Sequence, residues 1–358
     1  MAYLVMYFLV NMGSIDSVTP LFSHARRPGG RNHGEGGCPA SVPGRLVGTD
    51  YGGYLVPREL PEWLHARKDQ LLLVYSFGLG LDVSFDLGIA SQLNALGYTN
   101  VVVHQFDPTP RAIKFVRAVR TALREGVVGP AREKAISKAG AELTPDDAAK
   151  LTSTLAWAVG RRVTSPVMPR QLQHHNWGLG VAANETSARF YLPGDARCVS
   201  ATSMAPSAAR GCGGMHSSHY FTATLRSLQA TVARLGHDAS REAFHVMPGP
   251  HVLKIDVEGA EIEVLRALLA STLRPRLLCV DFDSLISAHT AHNRTGAHMI
   301  IRQLRAAGYV PVVDDPRAAA LAKRHQSLPE RTFVFCGGAQ PRAVRARPGF
   351  ARRLPVRP

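Results

Sequence analysis

The chain is poor in cysteine, in aromatic residues and in acids, and it lacks any apolar run long enough to cross a membrane. Five cysteines, Cys38, Cys198, Cys212, Cys279 and Cys336, are spread through 358 residues. Their number is odd and none stand at CxxC spacing, so neither a disulfide framework nor a zinc site is signalled. Cys279, inside an apolar stretch, reads as a small core residue. The opening MAYLVMYFLV, residues 1–10, is apolar but only about half the ~20 residues a membrane helix needs, and it has no basic flank. It would matter for membrane association only as part of an anchor whose start lies upstream. Two N-x-[ST] triplets, at Asn184 and Asn293, carry weight only in a secretory compartment. The compartment, cytoplasmic or secretory, stays open.

Acids number 27 against 42 Lys and Arg, giving a net charge of +15. Such a surplus first suggests a nucleic-acid partner. Its distribution argues against one. Arginines crowd the Gly/Pro/Ala-rich ends, at Arg26, Arg27, Arg31 and Arg45, then at Arg342, Arg345, Arg347, Arg352, Arg353 and Arg357. These ends read as solvated, disordered segments, residues 1–49 and 339–358. A hydrophobic fraction of 45% is ample for one core between them.

From residue 71 strand and helix signals alternate, which predicts an α/β fold with a doubly wound, mostly parallel Rossmann-like sheet. LLLVYSF (71–77) and VVVHQF (101–106) are the first two strands. A helix capped by Asp82 or Ser84 runs to Gly97, and another follows Pro108 and Pro110. Residues 125–170 interrupt the alternation as a helical insertion, with Thr144, Pro145, Asp146 and Asp147 forming a strong helix start. WGLGVA (177–182) and SARFYLP (187–193) read as short strands joined by a turn at 184–186. Residues 194–218 read as a loop, and 224–235 as a helix. Strands at 276–282, at YVPVV and at RTFVFCG close a domain placed at 50–338.

The most informative segment is KIDVEGAE, residues 254–261. Val252, Leu253, Ile255 and Val257 mark a central strand, yet Lys254, Asp256 and Glu258 put three charges on one face of it. Burying charge costs several kcal/mol unless it is paired or used. Open α/β sheets place ligands at this carboxyl end. A purely structural ion pair is the competing reading.

SFGLGLD, residues 76–82, supplies Gly78 and Gly80 to the first strand-to-helix turn, and Asp107 ends the second strand where an acid typically accepts from a ribose diol. A nucleoside cofactor follows. The third glycine of a pyrophosphate-binding GxGxxG is missing, Val83 taking its place, and Asp82 adds negative charge at the turn. A phosphate-free cation such as S-adenosylmethionine suits this turn better than NAD.

KIDVEGAEIEVL (254–265), YSFGLGLDVSFD (75–86), HQFDPTP (104–110) and GGYLVP (52–57) together resemble the FkbM-type methyltransferases. The resemblance implies a methyltransferase-type Rossmann-like sheet and S-adenosylmethionine as cofactor. It implies that Gly78, Gly80 and Asp107 hold the cofactor, with Ser76, Phe77 and Asp82 lining the turn. Asp256 and Glu258 would face the transferred methyl group. It further implies O-methylation of a hydroxyl on a small molecule or glycan. Two departures touch the acceptor side: Asp281 and Asp283 stand where the family usually has a glutamate followed by a histidine, and Asp50-Tyr51 precedes Gly52.

A hydroxyl becomes a competent nucleophile when a base within reach takes its proton. Asp256 is the first candidate for that base, Glu258 the second, and Lys254 the counter-charge. No metal is required, although Asp256, Glu258, Asp281 and Asp283 would offer oxygen ligands to Mg²⁺ or Ca²⁺. His174, His175, His289, His292 and His298 are weaker candidates for a base, and Trp177 reads as packing rather than adenine stacking. Two other functions compete: an NAD-dependent oxidoreductase, which leaves KIDVEGAE unexplained, and a basic nucleic-acid-binding protein on an inert methyltransferase fold.

Overall fold

The computed structural model describes residues 38–49, 52–125, 132–160, 167–193, 215–238, 249–257, 259–282, 291–314 and 332–336. Nine strands form the main sheet: β1 (Val42–Val47), β2 (Tyr54–Pro57), β3 (Leu72–Phe77), β4 (Val101–Phe106), β5 (Leu172–His175), β9 (Val252–Ile255), β10 (Leu277–Val280), β11 (Tyr309–Asp314) and β12 (Thr332–Phe335). Their spatial order is β2-β1-β11-β12-β10-β9-β3-β4-β5. All run in one direction except β2 and β12, which pair antiparallel with their neighbours. Three further strands, β6 (Gly178–Leu179), β7 (Thr186–Pro193) and β8 (Met215–Arg226), make a small separate sheet ordered β6-β8-β7.

Central strands are buried on both faces and mostly apolar because helices cover both. On one side lie α1 (Leu60–Leu64), α2 (Ser84–Ala95), α3 (Pro110–Glu125), α4 (Arg132–Gly140) and α5 (Pro145–Gly160), with Leu60, Phe85, Ile89, Phe115, Leu151 and Leu155 packed against Leu72, Val74, Val103 and Val252. On the other side α6 (Leu228–Arg234), α7 (Glu261–Ala270) and α8 (Ala291–Ala306) bury Val232, Leu265 and Ile300 against Tyr75, Leu253 and Leu278. The expected doubly wound sheet and the helical insertion, α4 and α5, are both present.

Four expectations are corrected. The domain begins before residue 50, because β1 pairs with both β2 and β11. Val42, Gly44 and Val47 are buried while Pro43 and Arg45 are exposed, a strand signal masked by Pro43, Gly44 and Arg45. Residues 215–218 belong to β8 rather than a loop, and 224–226 extend that strand rather than a helix. Thr222 and Thr224 face Arg189 and Ser187 across the ladder, where β-branched side chains fit well. The helix waits for Ser227, whose side chain accepts from the Ala230 N–H at 3.1 Å. The strands containing Gly178 and Thr186 exist but do not pair with each other; β8 lies between them.

The fourth correction is a disulfide, Cys38–Cys336, between residues 298 apart in sequence with Cα atoms 5.9 Å apart. Strand β11 brings them together. It pairs parallel with β1 and antiparallel with β12, so the entry to β1 and the exit from β12 meet at the amino-terminal edge of the sheet. Cys279 is a buried free thiol, as expected. Cys198 and Cys212 lie outside the described residues, as do residues 1–37 of the segment 1–49 expected to be disordered and the tail 339–358. No described helix is long and apolar enough to cross a membrane.

Candidate active site

Backbone hydrogen bonds step past the ends of the central strands and place the candidate residues in one row. Asp107 N–H donates to His175 O, Gly78 N–H to Phe106 O, Asp256 N–H to Phe77 O and Asp281 N–H to Ile255 O, at 2.9–3.2 Å. The glycine turn, the acid after β4 and the carboxylates after β9 and β10 therefore share the carboxyl edge, where α/β sheets bind ligands.

Gly78 has φ +74° and Gly80 φ +53°. A Cβ on Gly78 would stand 1.5 Å from the Asp256 carbonyl oxygen, so glycine is demanded there by the close approach of β9 as well as by φ. Asp107, 4% exposed, closes the turn. Its Oδ2 accepts from the N–H groups of Leu79 and Gly80 at 2.8 and 2.9 Å, and its Oδ1 accepts from Thr109 N–H at 2.8 Å. Asp82 also organises backbone. Oδ1 accepts from Ser84 N–H at the start of α2, and Oδ2 accepts from the Thr49 hydroxyl at 2.5 Å. Gly52 lies so close to this carboxylate that a Cβ there would sit 2.6 Å from it.

Lys254 is 3% exposed. Its ammonium donates to the Gly78 carbonyl and to Asp256 Oδ2, the latter at 3.2 Å, and stands 5.9 Å from the Tyr54 ring centre. Burial works to lower its pKa, but Asp256, Asp86 and Asp281 together outweigh that and hold it above the ordinary lysine value. The charge oddity in KIDVEGAE thus resolves into a buried cation tying the glycine turn to the strand carrying Asp256. Asp256 itself keeps a side-chain exposure of 30%, so its carboxylate is open to the edge.

Two expected turn-lining side chains do not face the turn. Ser76 and Phe77 are both fully buried. Phe77 stacks on Phe106 with centroids 4.2 Å apart, in the core beneath α6 and α7. Alternation along β3 turns Ser76 to the opposite face. Glu258 and Asp283 lie outside the described residues. Among the described residues no group of three or more His, Cys, Asp or Glu is arranged to hold a metal ion.

The sequence reading missed Asp86 and Gln105. Register aligns Lys254, Ser76 and Gln105 across β9, β3 and β4, a polar row on the face under α2. Asp86, on α2 and 1% exposed, accepts from Gln105 Nε2 at 2.7 Å. Burial raises its pKa, opposed by the nearby Lys254 ammonium. The sequence offered only an acid among the apolar neighbours Val83, Phe85, Leu87 and Ile89, a pattern that becomes informative once α2 is seen to be buried throughout 83–91.

A second polar cluster occupies the opposite face. His104 Nδ1 and His175 Nε2 are 2.9 Å apart, and the Tyr75 hydroxyl meets His237 Nδ1 at 2.5 Å. Burial, reinforced by the neighbouring imidazoles, lowers His104 to about 3 and His175 to about 4. His175 also packs on Trp177, whose ring lies under the Arg226 guanidinium. Trp177 is thus a packing residue, as expected.

Residues 151–311 match the model of the Methyltransferase FkbM domain. Over that span, just under half of the chain, the sequence is similar to FkbM methyltransferases. The matched span runs from α5 to β11 and contains KIDVEGAE and Asp281. The glycine turn and Asp107 precede it. No curated protein and no solved structure matches the chain. The domain supports a methyltransferase, and the strand order with a single antiparallel β12 inside the sheet is consistent with a methyltransferase-type fold.

Proposed function

We propose that this FkbM-domain protein is an S-adenosylmethionine-dependent O-methyltransferase acting on a hydroxyl of a small molecule or glycan. The observation that carries the cofactor reading is the occupancy of the glycine turn. Leu79 and Gly80 N–H both donate to Asp107, so the turn offers those donors to no phosphate and presents a carboxylate behind them. Pyrophosphate binding depends on such donors and on a positive field. A sulfonium cofactor requires neither, and Asp82, Asp107 and Asp256 favour its positive charge. The NAD reading loses its main contact.

Gly78 and Gly80 would hold the cofactor through backbone, and Asp107 through Oδ1, which accepts one backbone donor and has a second lone pair to offer a ribose hydroxyl. S-adenosylmethionine supplies the electrophilic methyl group. Asp256 would orient the acceptor hydroxyl and take its proton, with Lys254 fixing its carboxylate. Glu258, two residues further along the chain, is the second candidate for the base. Aligning acceptor and methyl carbon contributes several kcal/mol by proximity alone.

Calorimetric titration with S-adenosylmethionine and with NAD tests the cofactor, and a methyl-transfer screen over hydroxylated acceptors tests the reaction. Asp107→Ala should weaken cofactor binding, whereas Asp256→Ala should mainly lower turnover, by about 10²-fold or more for loss of a general base. NAD binding with no response to S-adenosylmethionine would overturn the reading. Full turnover in Asp256→Ala would remove Asp256 as the base.

A further inference from the structure

Asn184, Glu185 and Thr186 form an N-x-T triplet at the turn between β6 and β7. Residues 181–187 are all exposed, so the Asn184 carboxamide stands in an unbroken solvent-accessible run. Glu185 is drawn to Arg226 in an ion pair, and Thr186 begins β7, an edge strand of the small sheet. An extended segment bordered by a turn leaves the asparagine amide and the threonine hydroxyl accessible together. Val181, 50% exposed, adds an apolar side chain at the same tip that a bulky polar substituent would shield. The other triplet begins at Asn293 in helix α8.

The disulfide is an independent observation. Cys38 is exposed and Cys336 half-buried, within reach of a soluble reductant. Such bonds are reduced in the cytosol and persist in oxidising compartments. Cys279 is no competitor for pairing: it is fully buried, and burial pushes its thiol up to about 12, leaving no thiolate to attack the bond.

We infer that Asn184 carries an N-linked glycan, added in the same oxidising secretory compartment that closes Cys38–Cys336. In the modification the Asn184 Nδ2 displaces a polyprenyl pyrophosphate from C1 of a preassembled oligosaccharide. The N–C1 bond forms, the C1–O bond breaks with its electron pair leaving on the pyrophosphate, and one amide proton passes to a base. Disulfide closure removes two protons and two electrons from the two thiols, passing them to the disulfide of a thiol oxidoreductase. Neither modification depends on the proposed cofactor or acceptor.

Full-length protein recovered from the cells that make it, digested with trypsin without reduction, tests both halves. The peptide spanning residues 171–189 should carry a hexose-containing mass. Enzymatic removal of the glycan in heavy-oxygen water should leave labelled aspartate at position 184. The peptides containing Cys38 and Cys336 should appear linked. Asn184→Gln and Thr186→Ala should each lose one glycan's mobility shift, while Thr186→Ser keeps it, which separates sequon chemistry from misfolding. An unmodified residue 171–189 peptide from disulfide-bonded protein would overturn the glycosylation, and free thiols at Cys38 and Cys336 would overturn the compartment.

Discussion

Replacing Lys254 by methionine keeps the length and apolar stem of the side chain and removes its charge. In the folded protein that charge is 3% exposed, bonded to the Gly78 carbonyl and to Asp256, and flanked by Asp86 and Asp281. Removing one partner of a buried ion pair typically costs about 3–5 kcal/mol, because the other charge remains uncompensated. Asp256 is 30% exposed, so water takes up part of its charge, and the expected loss is about 2–3 kcal/mol. That is a fall in Tm of roughly 4–10 °C for a domain of this size. Urea denaturation of Lys254→Met, Asp256→Asn and the double variant gives the coupling directly. The pH dependence adds a check of sign. The folded pKa of Lys254 is raised, so its contribution is fully present below the unfolded lysine value and is lost only as pH rises through the higher folded value. The stability difference between parent and Lys254→Met should therefore stay constant from pH 7 to pH 9. Additive single variants, or a difference that shrinks across that range, would refute the view of Lys254 as the tie between turn and strand.

Gly78→Ala should lose cofactor binding and about 2–4 kcal/mol of stability, since φ is +74° and the new Cβ would overlap the Asp256 carbonyl; titration and thermal melting measure the two effects, and an unaltered variant would show that the close approach does not exist. Acid should destabilise the protein below about pH 6.5, the ordinary histidine value. His104, His175 and His251 have folded values lowered to about 3, 4 and 4, chiefly by burial, so their contribution is present above the unfolded histidine value and is lost as pH falls through the folded ones. Each imidazole that stays neutral in the fold costs about 1.4 kcal/mol for every pH unit below its unfolded value, until its own folded value is reached. Flat stability between pH 7 and pH 4 in a denaturation series would count against those buried neutral imidazoles. Replacing Cys38 and Cys336 together by serine should cost about 2–5 kcal/mol, with a chain-entropy ceiling of roughly 5–6 kcal/mol for so long a loop, read as a lower urea midpoint than that of the oxidised parent.

Much of the candidate site was legible because its signals are local. A glycine turn after an apolar strand, an acid one βαβ step later and charges at alternate positions of a central strand each report the chemistry of a few neighbouring residues. Parallel strand order then carries them to one edge without further information. The unread parts depend on residues distant in sequence. Asp86 looked like an ordinary residue of α2 until the helix was laid on the sheet and Gln105 rose to meet it. Phe77 looked like a turn residue because it abuts Gly78, yet strand alternation turns its ring into the core.

By itself the sequence determined the α/β class, the helical insertion, the glycine turn and the strand that carries Lys254 and Asp256, because propensity, periodicity and turn chemistry act over short stretches. Only the tertiary structure decided where the charges end up. It spent the turn's N–H groups on Asp107, enclosed Lys254 among Asp86, Asp256 and Asp281, and drew Cys38 to Cys336 across β11. Those outcomes follow from sheet order and register, which bring together residues that no local pattern relates.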